Sequence, residues 1–362
     1  MQAVQMSNFQ DDVNFLLVPL KYFKEIPEGL RDYAISKIVE DDEKWIIIAG
    51  GVLNGNEISN KVYKIQYNEV NSVYKSVELS PMVKKRYSFE LVEYEDKLYA
   101  IGGCSKKSSI EVYEPELNMW TLLDGRMNIS RYNFGCVLYK DKIFVSGGNT
   151  SYEQILNKQT LLGELDDNEY CGNFFKEIAG VKMTYYYTID DFKNQPKKIK
   201  VRGTNYTDTV EVFDIKTGIW SLHSTMNESR SYHKMIVFSE NATPYLYVIG
   251  GKILETDFER TSEEYKGYVT TTNIVEQMVL ENCDFNWDYT IPLQNRRTGF
   301  EVIVRNNDFL IFGGEIFGNG YGKTGLIEMY IPSKYSRNLN NNFMYSRNSK
   351  CIQIDKNYVL VE

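Results

Sequence analysis

The stretch Leu98-Tyr-Ala-Ile-Gly-Gly103 decides the fold, because the chain keeps returning to it. The same kind of apolar run ending in a glycine pair reads IIIAGG at 46–51, IFVSGG at 143–148, LYVIGG at 246–251 and FLIFGG at 309–314. The first glycines are Gly50, Gly102, Gly147, Gly250 and Gly313. Self-similarity at a period of about 50 residues is the signature of a propeller or solenoid. The interval from Gly147 to Gly250 is close to two such units, so it predicts one hidden repeat.

Each unit divides into four short runs. The first opens on Arg, as in Arg131-YNFGCVLY, and the second ends in the glycine pair, as in KIFVSGG. The third carries Glu and an aromatic, as in SSIEVYEP (108–115), and the fourth holds Trp, as in MWTLL (119–123). The runs are rich in Val, Ile, Tyr and Phe and are separated by Gly, Asn, Lys or Asp, so they read as strands of an antiparallel meander. The glycines suit a tight exit from the second strand. The step from Arg to the first glycine is identical for Arg86 to Gly102, Arg131 to Gly147 and Arg297 to Gly313. It is slightly longer for Arg230 to Gly250, whose hairpin carries SENATP. An apolar residue stands four before Arg in Met82/Arg86, Met127/Arg131, Met226/Arg230, Leu293/Arg297 and Phe343/Arg347.

With these residues the chain resembles the kelch-repeat family. The resemblance rests on the five glycine pairs, on Glu111 with Tyr113, on Glu211 with Phe213, on Trp120, Trp220 and Trp287, and on the strand-opening arginines. It covers nearly the whole chain and implies an all-β propeller with one four-stranded sheet per repeat.

Register suggests where the hidden unit lies. Glu211 precedes Trp220 by the same step that separates Glu111 from Trp120, and shortly before it Gly203-Thr replaces the glycine pair. Ile178 and Lys182 repeat the apolar-to-basic step, and Asn168-Glu-Tyr170 mimics Asn118-Met-Trp120. The expectation is therefore one domain, 1–362, of seven blades. Six are 31–82, 86–127, 131–178, 182–226, 230–293 and 297–343, opened by Arg31, Arg86, Arg131, Lys182, Arg230 and Arg297. The seventh is shared by the ends: 347–362 supplies its first half and 13–30 completes it, because the usual Arg-to-glycine step from Arg347 overshoots Glu362. Closing the ring this way removes an exposed edge. Six blades with a large insertion is the alternative.

Composition limits the function. Net charge is −8, which argues against a nucleic-acid or anionic-membrane surface. No secretory signal is readable in MQAVQMSNFQDDVNF, and no apolar stretch is long enough to span a bilayer. Strand-like sequence begins near Val13, so a BTB or BACK segment is not expected ahead of the propeller. The five cysteines, Cys104, Cys136, Cys171, Cys283 and Cys351, are widely spaced, which points to reduced thiols and a cytoplasmic setting, with the cytoskeleton or a cilium compatible. Cys136 and Cys351 read as fillers of innermost strands.

Chemistry is sparse. His223 and His233 are the two histidines, far apart in register, and no nucleophile, metalloprotease or nucleotide-binding motif is present. The expectation is a non-catalytic protein-interaction scaffold with no cofactor and no metal. The alternative is an enzyme with its site at the axial mouth, of the oxidase, isomerase or lyase type seen among kelch proteins. In an up-and-down blade the second-to-third and fourth-to-first connections share one face. Arg31, Arg86, Arg131, Arg230, Arg297 and Arg347 would ring the axis there, with Tyr87, Tyr132 and Tyr232 beside them. In kelch adaptor propellers such arginines bind acidic peptides, so the resemblance implies a protein partner with an acidic segment. The competing role for the arginines is to satisfy turn carbonyls. The long connections 252–272 and 315–325 rise from the same face, where a rigid scaffold usually carries its binding loops.

Overall fold

The apolar runs form β-strands in a computed structural model that describes residues 23–332 and 351–352. Excepted are 41–42, 69–72, 105–107, 158–173, 179–180, 186–197, 257–266, 282–284, 306–307, 317–321 and 324–326. Five four-stranded antiparallel blades follow one another. The first is β1 (Ala34–Glu40), β2 (Glu43–Ala49), β3 (Val62–Asn68) and β4 (Val73–Leu79). The second is β5 (Glu90–Tyr94), β6 (Lys97–Ile101), β7 (Ser109–Glu114) and β8 (Met119–Arg126). The third begins with β9 (Gly135–Tyr139) and β10 (Lys142–Ser146). A separate sheet then intervenes, made of β11 (Asn149–Asn157), β12 (Phe174–Ile178), β13 (Val181–Tyr185) and β14 (Lys198–Tyr206). The blade resumes with β15 (Thr209–Asp214) and β16 (Ile219–Thr225).

The fourth and fifth blades are interrupted at the same point. After β17 (Arg230–Ser231) come β18 (Lys234–Glu240) and β19 (Thr243–Ile249), then a hairpin of β20 (Lys252–Thr256) and β21 (Gly267–Thr271), then β22 (Val275–Val279) and β23 (Asp288–Thr290). After β24 (Arg297–Thr298) come β25 (Glu301–Val304) and β26 (Phe309–Phe312), a hairpin of β27 (Glu315–Ile316) and β28 (Gly322–Lys323), then β29 (Ile327–Tyr330) and β30 (Cys351–Ile352).

The expected blade boundaries need correction. β10 pairs along its length with β15, Val145 opposite Glu211, so 149–206 is an insertion within one blade. The units 131–178 and 182–226 are not blades. Lys182 lies on β13 opposite Glu177, and Gly203 lies inside β14 opposite Tyr152. Register by spacing failed because a strand's ladder partner is set by the pattern of both edges, and β10 finds its match beyond the whole insertion. Cys351 pairs with Glu328 as the outermost strand of the fifth blade, so it is not the innermost-strand filler that was expected. The expected seventh blade of 347–362 with 13–30 lies mostly outside the described residues; in the described part 23–30 forms turns rather than strand, and Cys351–Ile352 pairs with β29 as the fourth strand of the fifth blade.

The fourth-strand tryptophans pack between blades as their spacing predicts: Trp120, Trp220 and Trp287 are 5%, 9% and 6% exposed. The residues four before each Arg, Met82, Met127, Met226 and Leu293, are buried too. The glycine pairs are needed at these seams. Gly102 has φ +65°, and a Cβ there would lie 2.7 Å from Phe134 of the next blade. The second glycine donates its N–H across the seam: Gly51 to Arg86 O at 2.8 Å, Gly103 to Arg131 O at 3.0 Å, Gly148 to Arg230 O at 2.8 Å and Gly251 to Arg297 O at 3.0 Å.

Candidate functional site

The strand-opening arginines do not reach the surface. Arg86, Arg131, Arg230 and Arg297 are 0–1% exposed, and each meets the third-strand Glu of its own blade. Arg86 Nη2 donates to Glu111 at 2.9 Å, Arg131 Nη2 to Glu211 at 2.6 Å and Arg297 Nη2 to Glu328 at 3.2 Å, and Arg230 pairs in the same way with Glu276. The other guanidinium nitrogen donates to the first glycine's carbonyl: Arg86 to Gly102 at 2.6 Å, Arg131 to Gly147 at 2.7 Å and Arg230 to Gly250 at 3.0 Å. The carboxylates accept backbone N–H groups of the fourth-to-first connection, from Val83 and Lys84 to Glu111 and from Asn128 and Ile129 to Glu211. Burial lowers the pKa of Arg86, Arg131 and Arg230, while each Glu partner pulls it back up. These four arginines are thus internal clamps that satisfy turn carbonyls. The guanidinium ring on which the acidic-partner expectation stood is not displayed.

Arg31 is exposed, ion-paired to Asp32 at 2.8 Å and bonded to Asn56. It is also one residue out of register. Its carbonyl and N–H bond Val52, as those of Tyr132 bond Asn149. Leu30 therefore stands where the other blades have Arg. Tyr63, opposite Ile48, stands where Glu111 faces Ala100. In the first blade the ion pair is replaced by Leu30 and Tyr63, buried together with Phe23, Ile26, Ile48 and Ile65. Arg347 lies outside the described residues.

The residue two places after each clamp position has positive φ: Asp32, Ser88, Asn133, Tyr232 and Gly299. These residues form a collar round the axis. Ser88 N–H donates to Asp32 O at 2.9 Å, Asn133 to Ser88 at 3.1 Å, Tyr232 to Asn133 at 2.8 Å and Gly299 to Tyr232 at 3.4 Å. The three expected tyrosines gather on this collar. Burial raises the pKa of Tyr87 to about 12, and its hydroxyl shares a hydrogen bond with the Cys104 thiol. Burial also raises Tyr132 and Tyr232, and each feels Cys104. Asp32 raises Tyr87 and Tyr232 further. Tyr232 stays 39% exposed, with Lys252 Nζ 4.7 Å from its ring centre.

The inserted sheet β11–β14 and both hairpins, β20–β21 and β27–β28, leave from second-to-third connections, next to this collar. Their first strands are held there. Tyr132 bridges Asn149, β17 pairs with β20, and β24 pairs with β27. The sequence placed the connections 252–272 and 315–325 here and missed that 149–206 is a third of the same kind.

The histidines are not brought together as a site. His233 is buried, Nε2 2.9 Å from Ser146 Oγ, where other blades carry Phe89, Phe134 and Phe300. His223 packs edge-on to Phe285 with centroids 4.3 Å apart. Among the described residues no three His, Cys, Asp or Glu side chains converge as metal ligands, and no helix is long and apolar enough to cross a membrane.

Sequence reading missed the charges in the axial channel. Its walls include Glu90 and Lys234, each at the fourth position after its blade's Arg, with Cys136 beside them. Glu90, Lys234 and Glu301, charged at the same offset after Arg86, Arg230 and Arg297, were the available signal.

No family model matches the chain. The cowpox virus protein named Kelch repeat and BTB domain-containing protein 2 is 43% identical over 101 residues, 27% of this chain and 17% of that protein. Mouse Kelch-like protein 36 is 33% identical over 214 residues, 57% of this chain and 25% of that protein. The chain thus spans a quarter or less of the length of these relatives.

Proposed function

We propose, from the premise that this chain belongs to the kelch-repeat family, that it is a non-catalytic propeller that binds a protein partner on its collar face. The observation that carries this is the insertion pattern. Three successive blades are enlarged at the same connection, so one face gains a four-stranded sheet and two hairpins. A rigid ring with elaborated loops on one face is the usual form of a binding scaffold. The tyrosines add amphipathic contact area that is cheap to order.

Six blades fit this reading. The collar bonds join five blades, and the Asp32 N–H and the Gly299 carbonyl find no backbone partner among the described residues. One more blade between them would supply both. The unpaired thiols Cys104 and Cys136 suit a reducing, intracellular setting.

The test replaces 149–208 with a copy of the second blade's short connection, 104–108. Partners captured by the variant and the wild type are then compared by quantitative mass spectrometry. The expected result is an unchanged melting temperature with loss of the partners that the wild type enriches. A folded variant that retains every partner at wild-type level would refute the assignment of this face.

A further inference from the structure

The innermost strands enclose a narrow channel along the axis, and its charges do not balance. Around Glu90 the channel is lined by Lys37 from β1, Glu93 from β5, Cys136 from β9 and Lys234 from β18, and Lys234 meets Glu301 of β25. Burial pushes the Cys136 thiol up, so it stays neutral. Three carboxylates, Glu90, Glu93 and Glu301, then face two ammonium groups, Lys37 and Lys234, so one negative charge is left over. Lys234 is committed to Glu301, its Nζ 3.2 Å from Oε2. Glu90, half-buried on the channel wall, makes no side-chain hydrogen bond among the described residues. A partly desolvated carboxylate in this condition is stabilised by a cation that pairs with it. The Tyr33 hydroxyl is also buried without a hydrogen-bond partner, near enough to Glu301 to feel its charge.

The remaining walls are aliphatic, from Leu91, Val92, Val137, Ile236 and Val302. The channel therefore offers aliphatic wall beside an acidic patch at Glu90, among the charges of Lys37, Glu93 and Lys234. A ligand that matches both parts has one positive charge at the tip of an apolar stem. An anion would meet a net negative site, and too few ligands converge for a metal.

We propose that the axial channel binds a primary ammonium group carried on an unbranched alkyl chain, with the ammonium seated on Glu90 and the stem along the aliphatic walls. A free amine or a partner's lysine side chain would present this chemistry. Glu90 also supplies a pH signature. Burial raises its pKa to about 7, Lys234 opposes this and Glu301 adds to it. The carboxylate form binds the cation, so affinity is present above pH 7 and lost below it.

The test is calorimetric titration of the full chain with n-butylammonium chloride against matched sodium chloride, at pH 8 and pH 6. Affinity should fall about tenfold at pH 6, because one unit below the pKa leaves roughly a tenth of the carboxylate ionised. E90Q, which keeps the shape, should weaken binding at pH 8 by about tenfold or more and abolish the pH dependence. A second titration with N-acetyl-lysine amide separates the sources. Binding of both compounds supports a partner's lysine, and binding of butylammonium alone supports a free amine. No binding above the sodium control at pH 8, or an E90Q protein that binds like the wild type, overturns the proposal. If E90Q does not fold, the wild-type pH profile decides, and a flat profile overturns it.

Discussion

Removing one internal clamp should cost the propeller much of its stability, and Arg131→Ala is the sharpest case. Its guanidinium makes four bonds, to Gly147 O, Thr209 O, Thr209 Oγ1 and Glu211 Oε1. Alanine would remove all four and leave Glu211, itself 0% exposed, as a buried charge held by N–H and amide donors only. Breaking a buried pair from one side costs about 3–5 kcal/mol. At roughly 2–4 °C per kcal/mol for a large domain, the melting temperature should fall on the order of 10 °C. The first blade supplies a control, because Leu30 and Tyr63 fill the same two positions without charge. Arg131→Leu with Glu211→Tyr should therefore recover part of the loss. Recovery should be incomplete, since the Asn128 and Ile129 N–H groups lose their acceptor at about 1–3 kcal/mol. Thermal unfolding followed by tryptophan fluorescence reads both variants. A single mutant that melts within about 2 °C of wild type would show that the clamp is dispensable. A double mutant no better than the single would show that the first blade is not an apolar version of the same joint.

Gly102→Ala should destabilise by about 1–3 kcal/mol from the φ of +65° alone, with the 2.7 Å approach to Phe134 adding to it; a chemical-denaturation midpoint equal to wild type would contradict the seam geometry. His233 gives a pH dependence whose sign is fixed: burial holds its folded pKa well below 6.5, so the unfolded chain takes up the proton first, and stability is lost as pH falls below 6.5. Ser146→Ala with His233→Phe, which installs residue types found at these positions in other blades, should flatten the acid limb of the melting-temperature profile from pH 6.5 downward. An unchanged limb would assign it to other groups.

The fold was legible because its punctuation is local. A glycine pair, an Arg at a fixed step before it and a Trp at a fixed step after a Glu are all set within one hairpin or its neighbour. What spacing could not show was which hairpin a strand returns to. Residues 149–206 imitate a repeat in Gly203, Lys182 and Tyr170, yet the strand that completes the third blade is β15. The collar's residues were legible in position, and the arginines were misread in orientation. Tyr87, Tyr132 and Tyr232 do stand at the collar, but the arginines beside them turn inward. A signal for this was present: every described blade with the buried Arg also has a third-strand Glu, Glu111 for Arg86 and Glu328 for Arg297, as a joint within each repeat requires. The misfit of Arg31 was visible too, since Pro27 stands four before it, whereas the apolar Ile26 stands four before Leu30.

The inward arginines also explain why this face could be elaborated. In the second blade a short connection, 104–108, joins the second strand's glycine pair to β7, and in the third a far longer one, 149–208, reaches β15. Lengthening a loop by that ratio costs only about 2 kcal/mol in closure entropy. The corner must still be held shut at its base. Arg131 does this by donating to Gly147 O at one end of the insertion and to Thr209 O at the other, as Arg86 bonds Gly102 O and Ser109 O around the short connection. The fourth blade repeats it, with Arg230 on Gly250 O and Ile274 O across the β20–β21 hairpin. Loop length is thereby uncoupled from blade geometry wherever the clamp is present. The first blade, which lacks it, closes its connection instead with the Arg31–Val52 and Val52–Ile58 bridges. The arginines thus make a variable face compatible with a fixed blade geometry.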